Sequence, residues 1–474
     1  MRLPAAWWSP SVVTFQLLVL SGICDALRKP LGQSIILISV DGYGAALLNN
    51  SKAESLVGFT QIANNGIKTD YLKPTFPALA IPSWHSLATG LYTENHGMMM
   101  NAMYDPNSTR TWEGGKGPDD SNYFWWKNRP MPFWYTAGKA GVAINCFWFS
   151  YCHQSLGDIA VKVAPERRAD LDDPEQTEAM ADMFDDMILN ITRFQSYRKE
   201  VYLIRYAGVD HALKKYGPAS DQVEQAIAKF DMNILALQEK MEKKNLFDTT
   251  NLIVLSDHGL ARVVEEEQYY LEECLSDYSN IVKVVSSKSM LVIHTANDTA
   301  DAVFFELKVC DQWMHIGDYE EEASSVTIYR SSDLPEKYHY SKGRFLGDIV
   351  ILTKPGTTVI TRQLPSIPAK DEEKMKEQMT DGFDNDAEAM QGIFLARGPA
   401  FKVGEKFNHI EIVDIYNVLL NIVGLEAAHP NNGSWERVEP MLQDDWEERA
   451  SPKTAASSCF TFLTVSAILA RLLL

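Results

Sequence analysis

Three apolar runs far apart in the chain each stop at or just before an aspartate, and this recurrence limits the possible folds more than any other feature. The first reads SIILISV from Ser34 to Val40 and ends at Asp41-Gly42. A second, Glu200 to Tyr206, leads to Asp210, and a third, 252–255, leads to Ser256-Asp257-His258. Continuous rather than alternating hydrophobicity marks strands buried on both faces, as in parallel sheets.

Helical patterns separate these strands. Pro174 follows Asp173 at a favoured first-turn position, and Met180, Met183, Phe184, Met187, Ile188 and Ile191 share one apolar stripe. A second helix is expected over 220–241, with Val223, Ile227, Phe230, Ile234, Leu237 and Met241 inward and Asp221 and Glu224 as a capping pair. Alternating strands and helices imply an α/β fold, a mainly parallel sheet with helices on both faces. Sites in such folds lie at the carboxyl ends of strands. Segment 329–353 reads as a small antiparallel excursion, 370–376 as a charged surface loop or helix, and 410–423 as a closing amphipathic helix.

The ends of the chain have a different character. Residues 1–26 read as a signal peptide, with Arg2 before an apolar stretch at 12–20 and a small-residue exit at Cys24-Asp25-Ala26. Residues 441–474 read as a spacer followed by an apolar tail. That order fits a glycosylphosphatidylinositol (GPI) signal, while the sixteen residues from Cys459, interrupted by Arg471, are short for a membrane span. Residues 27–440 then form one ectodomain, a length that a single α/β unit can accommodate.

The expected location is the extracellular face of the cell membrane, reached through the secretory pathway, with the membrane as a partner through the lipid anchor. Sequons at Asn49, Asn107, Asn190, Asn297 and Asn432 agree with that route. Outside the removable ends, four cysteines remain. Four cysteines allow three pairings, and proximity favours Cys146 with Cys152 and hence Cys274 with Cys310. A formal charge of −19 excludes a nucleic-acid backbone as the main partner.

Strand-end carboxylates beside an imidazole are ligand types that hold zinc. An aspartate after a strand is most often a turn or capping residue; three such aspartates and an adjacent histidine are harder to dismiss. The aromatic segments Phe124-Trp125-Trp126 and Pro132-Phe133-Trp134 read as core packing, with a pocket for a base, choline or a lipid headgroup as the alternative.

Several blocks in a fixed order carry a resemblance. They are Ile38-Ser39-Val40-Asp41-Gly42-Tyr43, Thr89-Gly90-Leu91-Tyr92 with Glu94-Asn95-His96-Gly97, Tyr216-Gly217-Pro218, Ser256-Asp257-His258-Gly259, Arg397-Gly398-Pro399 and Asn431-Asn432-Gly433-Ser434-Trp435. Over residues 35–439 the chain resembles the ectonucleotide pyrophosphatase/phosphodiesterases of the alkaline phosphatase superfamily. That resemblance implies an alkaline-phosphatase-like single large domain, two zinc ions and a Thr or Ser nucleophile that is transiently phosphorylated.

Position by position, the match is mixed. Asp41, Asp257 and His258 match ligands of one zinc, and Asp210 matches a ligand of the other. The nucleophile position, nine residues before Thr89, is Ala80. Thr75-Phe76-Pro77 mimics the nucleophile tripeptide five residues too early, and Ser83 stands where the family has a phosphate-contacting asparagine; both are weak nucleophile candidates. The histidine positions of the second zinc are Lys214 and Asp381. The lysine is expected to occupy the vacant cation place, paired with Asp210 and Asp381. His211 reads as a solvent-facing loop residue and His96 as ordering its own turn.

Zinc is thus the expected cofactor, with one ion at most, held by Asp41, Asp257 and His258. The leading expectation is a catalytically impaired surface glycoprotein acting in binding or regulation, with a small phosphate ester or a protein as ligand. The alternative is an active metal-dependent phosphodiesterase or pyrophosphatase cleaving nucleotides or choline phosphodiesters through a rearranged site. A structural glycoprotein without a ligand is the third reading.

Overall fold

The computed structural model describes residues 32–443 except 50–54, 115–122, 128, 150–151, 153–161, 164–174, 195–197, 315–323 and 368–376. The proposed signal peptide, Cys24, Cys459, the apolar tail and the charged stretch 370–376 lie outside the described residues. The fold continues past the expected end at residue 440, with Met441 and Leu442 buried.

Strand β1 (Ser34–Val40) is buried along its whole length at the centre of the main sheet. It runs parallel to β5 (Glu200–Tyr206) on one side and to β6 (Thr250–Leu255) on the other. The remaining members are β2 (Ile67–Thr69), β3 (Ala143–Phe147), β4 (Lys162–Val163), β12 (Phe394–Arg397) and β13 (Glu405–Phe407). Their order across the sheet is β13-β2-β12-β6-β1-β5-β3-β4. Strand β12 pairs antiparallel with both neighbours, so the sheet is mainly parallel.

Helices cover both faces, as continuously apolar strands require. Ile35 and Leu37 point into one core layer with Trp84 and Leu87 of α2 (Ala80–Thr89) and with α7 (Ile415–Val423). Ile36, Ile38 and Val40 point into the other, against α1 (Val57–Asn64), α3 (Glu175–Phe194) and α5 (Asp221–Lys243). The stripe Met180, Met183, Phe184, Met187, Ile188 and Ile191 on α3 is buried. Each such side chain removed from water contributes about 1.5–3 kcal/mol.

Two local expectations change. Helix α5 is capped by Ser220, whose Oγ accepts the Val223 N–H at 3.3 Å, rather than by an Asp221–Glu224 pair. Segment 410–423 begins with a short strand and a 3-10 turn before α7, whose nine residues are all buried. It is a core helix, and its polar residues Asn417 and Asn421 are buried rather than turned to solvent.

A five-stranded second sheet holds β7 (Ile281–Ser286), β8 (Met290–Thr295), β9 (Val326–Arg330), β10 (Ile349–Thr353) and β11 (Ser366–Ile367), in the order β9-β10-β8-β7-β11. The antiparallel pairing of β9 with β10 is the excursion expected over 329–353. Helix α6 (Ala300–Met314) packs on this sheet. Disulfides join Cys146 to Cys152 and Cys274 to Cys310. They fit an oxidising, secretory compartment. No helix among the described residues is long and apolar enough to cross a membrane. Asn49, Asn107, Asn297 and Asn432 are exposed, while Asn190 is half-buried. Trp125, Phe133 and Trp134 are core residues.

Candidate active site

Asp41 follows β1 directly, and its backbone N–H donates to the carbonyl of Tyr206 at the end of β5. Gly42 then turns with φ +65°, and its N–H donates to Asp257 Oδ1 at 3.1 Å. Only glycine fits there: a Cβ would need the left-handed backbone region and would meet Asp210 Oδ1 at 2.5 Å. The Asp-Gly pair therefore lets three strand-end segments converge. Asp210 lies in the first turn of α4 (Gly208–Tyr216) rather than at a strand end proper.

Asp257 and His258 follow β6 and are almost fully buried. His258 Nδ1 faces the Gly259 carbonyl at 2.9 Å, so it donates there, and Nε2 is turned toward carboxylates. It lies 3.6 Å from Asp257 Oδ2 and 3.5 Å from Asp381 Oδ2. Asp381 arrives from a distant loop. Met379–Thr380 pairs with Ala261–Arg262, the Gly382 N–H donates to the Ala78 carbonyl and Ser289 Oγ donates to the Asp381 carbonyl.

Two cations sit among these acids. Lys214, in the last turn of α4, places Nζ 3.1 Å from Asp210 Oδ1 and 3.1 Å from Asp381 Oδ2. Arg205, near the end of β5, donates from Nε to Asp41 Oδ2 at 2.6 Å, and its Nη2 pairs with the same oxygen. The guanidinium carbon lies 4.0 Å from the Trp84 ring centroid. Arg205 was not singled out from the sequence. Its signal was a charge inside an otherwise buried strand, facing the same core layer as Val201 and Leu203.

Protonation follows this layout. Burial raises Asp41 to about 7; Arg205 opposes the rise and Asp257 adds to it. Burial also raises Asp257, against the pull of His258 and the Gly42 N–H. For Lys214, burial opposes the charge, but Asp210 and Asp381 hold the ammonium well above its usual value. Burial likewise works against a charge on His258, and Asp257 and Asp381 outweigh it, so the imidazole is raised.

The remaining candidates lie on or before α2. Ala80 is the first residue of that helix and is half-buried. Thr75 is buried with its hydroxyl 3.1 Å from Thr93 Oγ1, so the tripeptide mimic serves its own turn. Ser83 is fully buried, and its Oγ has no hydrogen-bond partner among the described residues. His96 accepts the Met98 N–H on Nδ1 and meets Ser86 Oγ through Nε2, which orders the turn. His211 is half-buried on α4, not in a solvent-facing loop.

A family model described as type I phosphodiesterase / nucleotide pyrophosphatase matches residues 35–384. This chain belongs to that family. Similar relatives include the bis(5'-adenosyl)-triphosphatase ENPP4 of Homo sapiens, 25% identical over 442 residues that cover 91% of this chain and 87% of the relative. The Bos taurus ENPP4 is 26% identical over 423 residues, covering 87% and 82% respectively. Among solved structures, murine ectonucleotide pyrophosphatase/phosphodiesterase 5, as an inactive variant in complex with AMP, superposes with a TM-score of 0.71 at 22% identity. The human counterpart gives 0.70 at 22% identity, and each match covers 87% of this chain and 100% of the other. These structures place the fold as alkaline-phosphatase-like.

Enzymes of the phosphodiesterase family are metal-dependent, and among the described residues one group has the ligand spacing for an ion. It comprises Asp210, His258 and Asp381, with ligand atoms within 4.8 Å of one another. This differs from the expected set Asp41, Asp257 and His258. Asp41 Oδ1 and Asp257 Oδ2 are buried without hydrogen-bond partners among the described residues, but the other Asp41 oxygen is engaged by Arg205. The three-ligand group has the Lys214 ammonium on two of its carboxylates. The residues as arranged do not fit a pair of zinc ions.

Proposed function

We propose that this protein is a phosphodiesterase-family member that has lost hydrolysis and acts as a binding or regulatory glycoprotein at the cell surface. The observation that carries this reading is Ala80, the first residue of α2. By resemblance it occupies the nucleophile position, and a methyl group has no oxygen to attack phosphorus. Trp84 of the same helix stacks on Arg205, which pairs with Asp41, so the helix start belongs to the strand-end cluster. The hydroxyl of Thr75 is engaged by Thr93 and offers no replacement. The murine relative bound to AMP is itself described as an inactive variant with a threonine-to-alanine change, which supports reading Ala80 as disabling.

Display by a lipid anchor, with glycans at the exposed sequons, completes the reading. Release of the protein from cells by a phosphatidylinositol-specific phospholipase tests the anchor.

A second reading is favoured by Ser83 and by the Asp210, His258 and Asp381 group. The buried Ser83 hydroxyl one turn into α2, without a partner among the described residues, supplies an oxygen for nucleotide or choline phosphodiester hydrolysis. One experiment separates the two: hydrolysis of a phosphodiester and dinucleoside polyphosphate panel by the purified, zinc-supplied protein beside Asp41→Asn. Equal background rates support lost catalysis. Turnover that disappears in Asp41→Asn overturns it.

A further inference from the structure

We propose that the Arg205 guanidinium and the Lys214 ammonium are resident cations standing in for the two zinc ions, so that the strand-end carboxylate cluster of this protein holds no metal. The inference rests on the placement of the two cations and goes beyond the loss of the nucleophile.

Four acids converge here from separate elements: Asp41 after β1, Asp210 on α4, Asp257 after β6 and Asp381 from the loop beyond 380. Asp41, Asp257 and Asp381 are buried and Asp210 is half-buried. Carboxylates packed this closely need positive charge, which metal ions supply in the family's enzymes. Among the described residues two side chains that carry a permanent charge do so, beside the His258 imidazole. Lys214 stands at a ligand position of the second zinc and bridges Asp210 and Asp381, the other two ligand positions of that ion, at 3.1 Å each. Arg205 engages Asp41, a ligand position of the first ion.

Arg205 is 6% exposed on a central strand, on a face otherwise filled by Val201 and Leu203. A buried charge at such a place is tolerated when it is paired and hydrogen-bonded. Its partners include Asp41 and the Trp84 ring. Ala80 fits the same pattern, because the nucleophile oxygen of the family is also a ligand of the first ion. Each cation is covalently part of the fold and cannot dissociate. A metal entering the Asp210, His258 and Asp381 group must first expel an ammonium held by two carboxylates, and it is repelled while that ammonium stays.

Zinc content and thermal stability test this directly. The purified full-length protein is stripped with a chelator, re-equilibrated with zinc, and assayed for bound metal and for its unfolding temperature. The expected wild-type result is an unfolding temperature indifferent to chelator and no zinc that Asp257→Asn or His258→Ala removes. Zinc that those variants leave in place lies elsewhere and agrees with a metal-free cluster. Lys214→His exchanges the ammonium for a ligand and is expected to gain one zinc, with affinity at least about a hundredfold above wild type and a zinc-dependent rise in unfolding temperature.

Wild-type protein that holds one or two zinc ions lost in Asp257→Asn, and that melts earlier in chelator, overturns the inference. So does a folded Lys214→His that gains no zinc. If that variant does not fold, the wild-type chelation series decides alone. Metal and turnover are separate readouts. Turnover without zinc would end the lost-catalysis reading and leave the resident cations standing, and zinc without turnover would do the reverse.

Discussion

Restoring the nucleophile alone should not restore catalysis, and Ala80→Thr makes this measurable. Removing a nucleophile from an intact active site lowers turnover by up to about a millionfold, so replacing it in an otherwise complete site should return a comparable factor. Here two further obstacles stand in the way. Lys214 Nζ is 3.1 Å from Asp210 Oδ1 and 3.1 Å from Asp381 Oδ2. At an effective dielectric near 20, each contact has a gross Coulomb energy of about 5 kcal/mol. The lysine side chain is 23% exposed, so solvent reduces that figure. Breaking one buried pair by removing a partner still costs about 3–5 kcal/mol, and a zinc ion must overcome such pairs at both positions.

Ala80→Thr alone is therefore expected to remain within about tenfold of background. Combining it with Arg205→Leu, Lys214→His and Asp381→His should produce zinc-dependent hydrolysis of a chromogenic phosphodiester. Intact-mass detection of a threonine carrying the phosphoryl group with its remaining ester substituent would report the covalent step in both proteins. Zinc-dependent turnover in the single variant more than about a hundredfold above background would refute the reasoning, because the metal positions would then be open.

Other consequences can be read from elements away from the site. His294 on β8 is 4% exposed against the Tyr104 ring, and burial lowers it from 6.5 to about 4. Its neutral form is favoured by folding, so stability is full above pH 6.5 and is lost as pH falls toward 4, by up to about 3 kcal/mol. His294→Phe should flatten that acid limb in urea titrations at several pH values; parallel curves would contradict the assignment. Asp231 accepts the N–H groups of Gly58 and Phe59 at the start of α1, at 3.0 and 2.8 Å. Asp231→Ala should destabilise by about 2 kcal/mol in equilibrium denaturation, with a smaller effect for Asp231→Asn. The Cys274–Cys310 bond closes a separation of 36 residues and Cys146–Cys152 one of 6. Replacing the first pair by serines should cost about 4 kcal/mol and the second about 2, measured on separately purified variants. Equal losses would show that loop closure is not what these bonds contribute.

Much of the layered fold was legible because its strands are buried on both faces. Uninterrupted runs such as SIILISV allow few alternatives to a central parallel strand, and the α3 stripe has one face to bury. Helix α7 misled because nine buried residues include Asn417 and Asn421, which resemble a polar face in sequence. In the fold their amides are satisfied internally, Asn417 by Asn431 and Gly433 and Asn421 by the Asn417 carbonyl. The aromatic segments were ambiguous because a ring lining a pocket and a ring filling a core have the same composition.

The sequence by itself determined the family pattern, the strand-end acids and the methyl group at position 80, since each is a matter of residue identity at a fixed place along the chain. It also showed that Lys214 and Asp381 depart from histidine. Only the tertiary structure decided how the charges are matched. Arg205 lies 164 residues from Asp41, and Lys214 lies 167 from Asp381. Such pairings exist only once β1, β5 and α4 are packed and Gly42 admits Asp210 beside the turn. Charge is written in the sequence, but the partner that neutralises it is set by distance, and distance belongs to the fold.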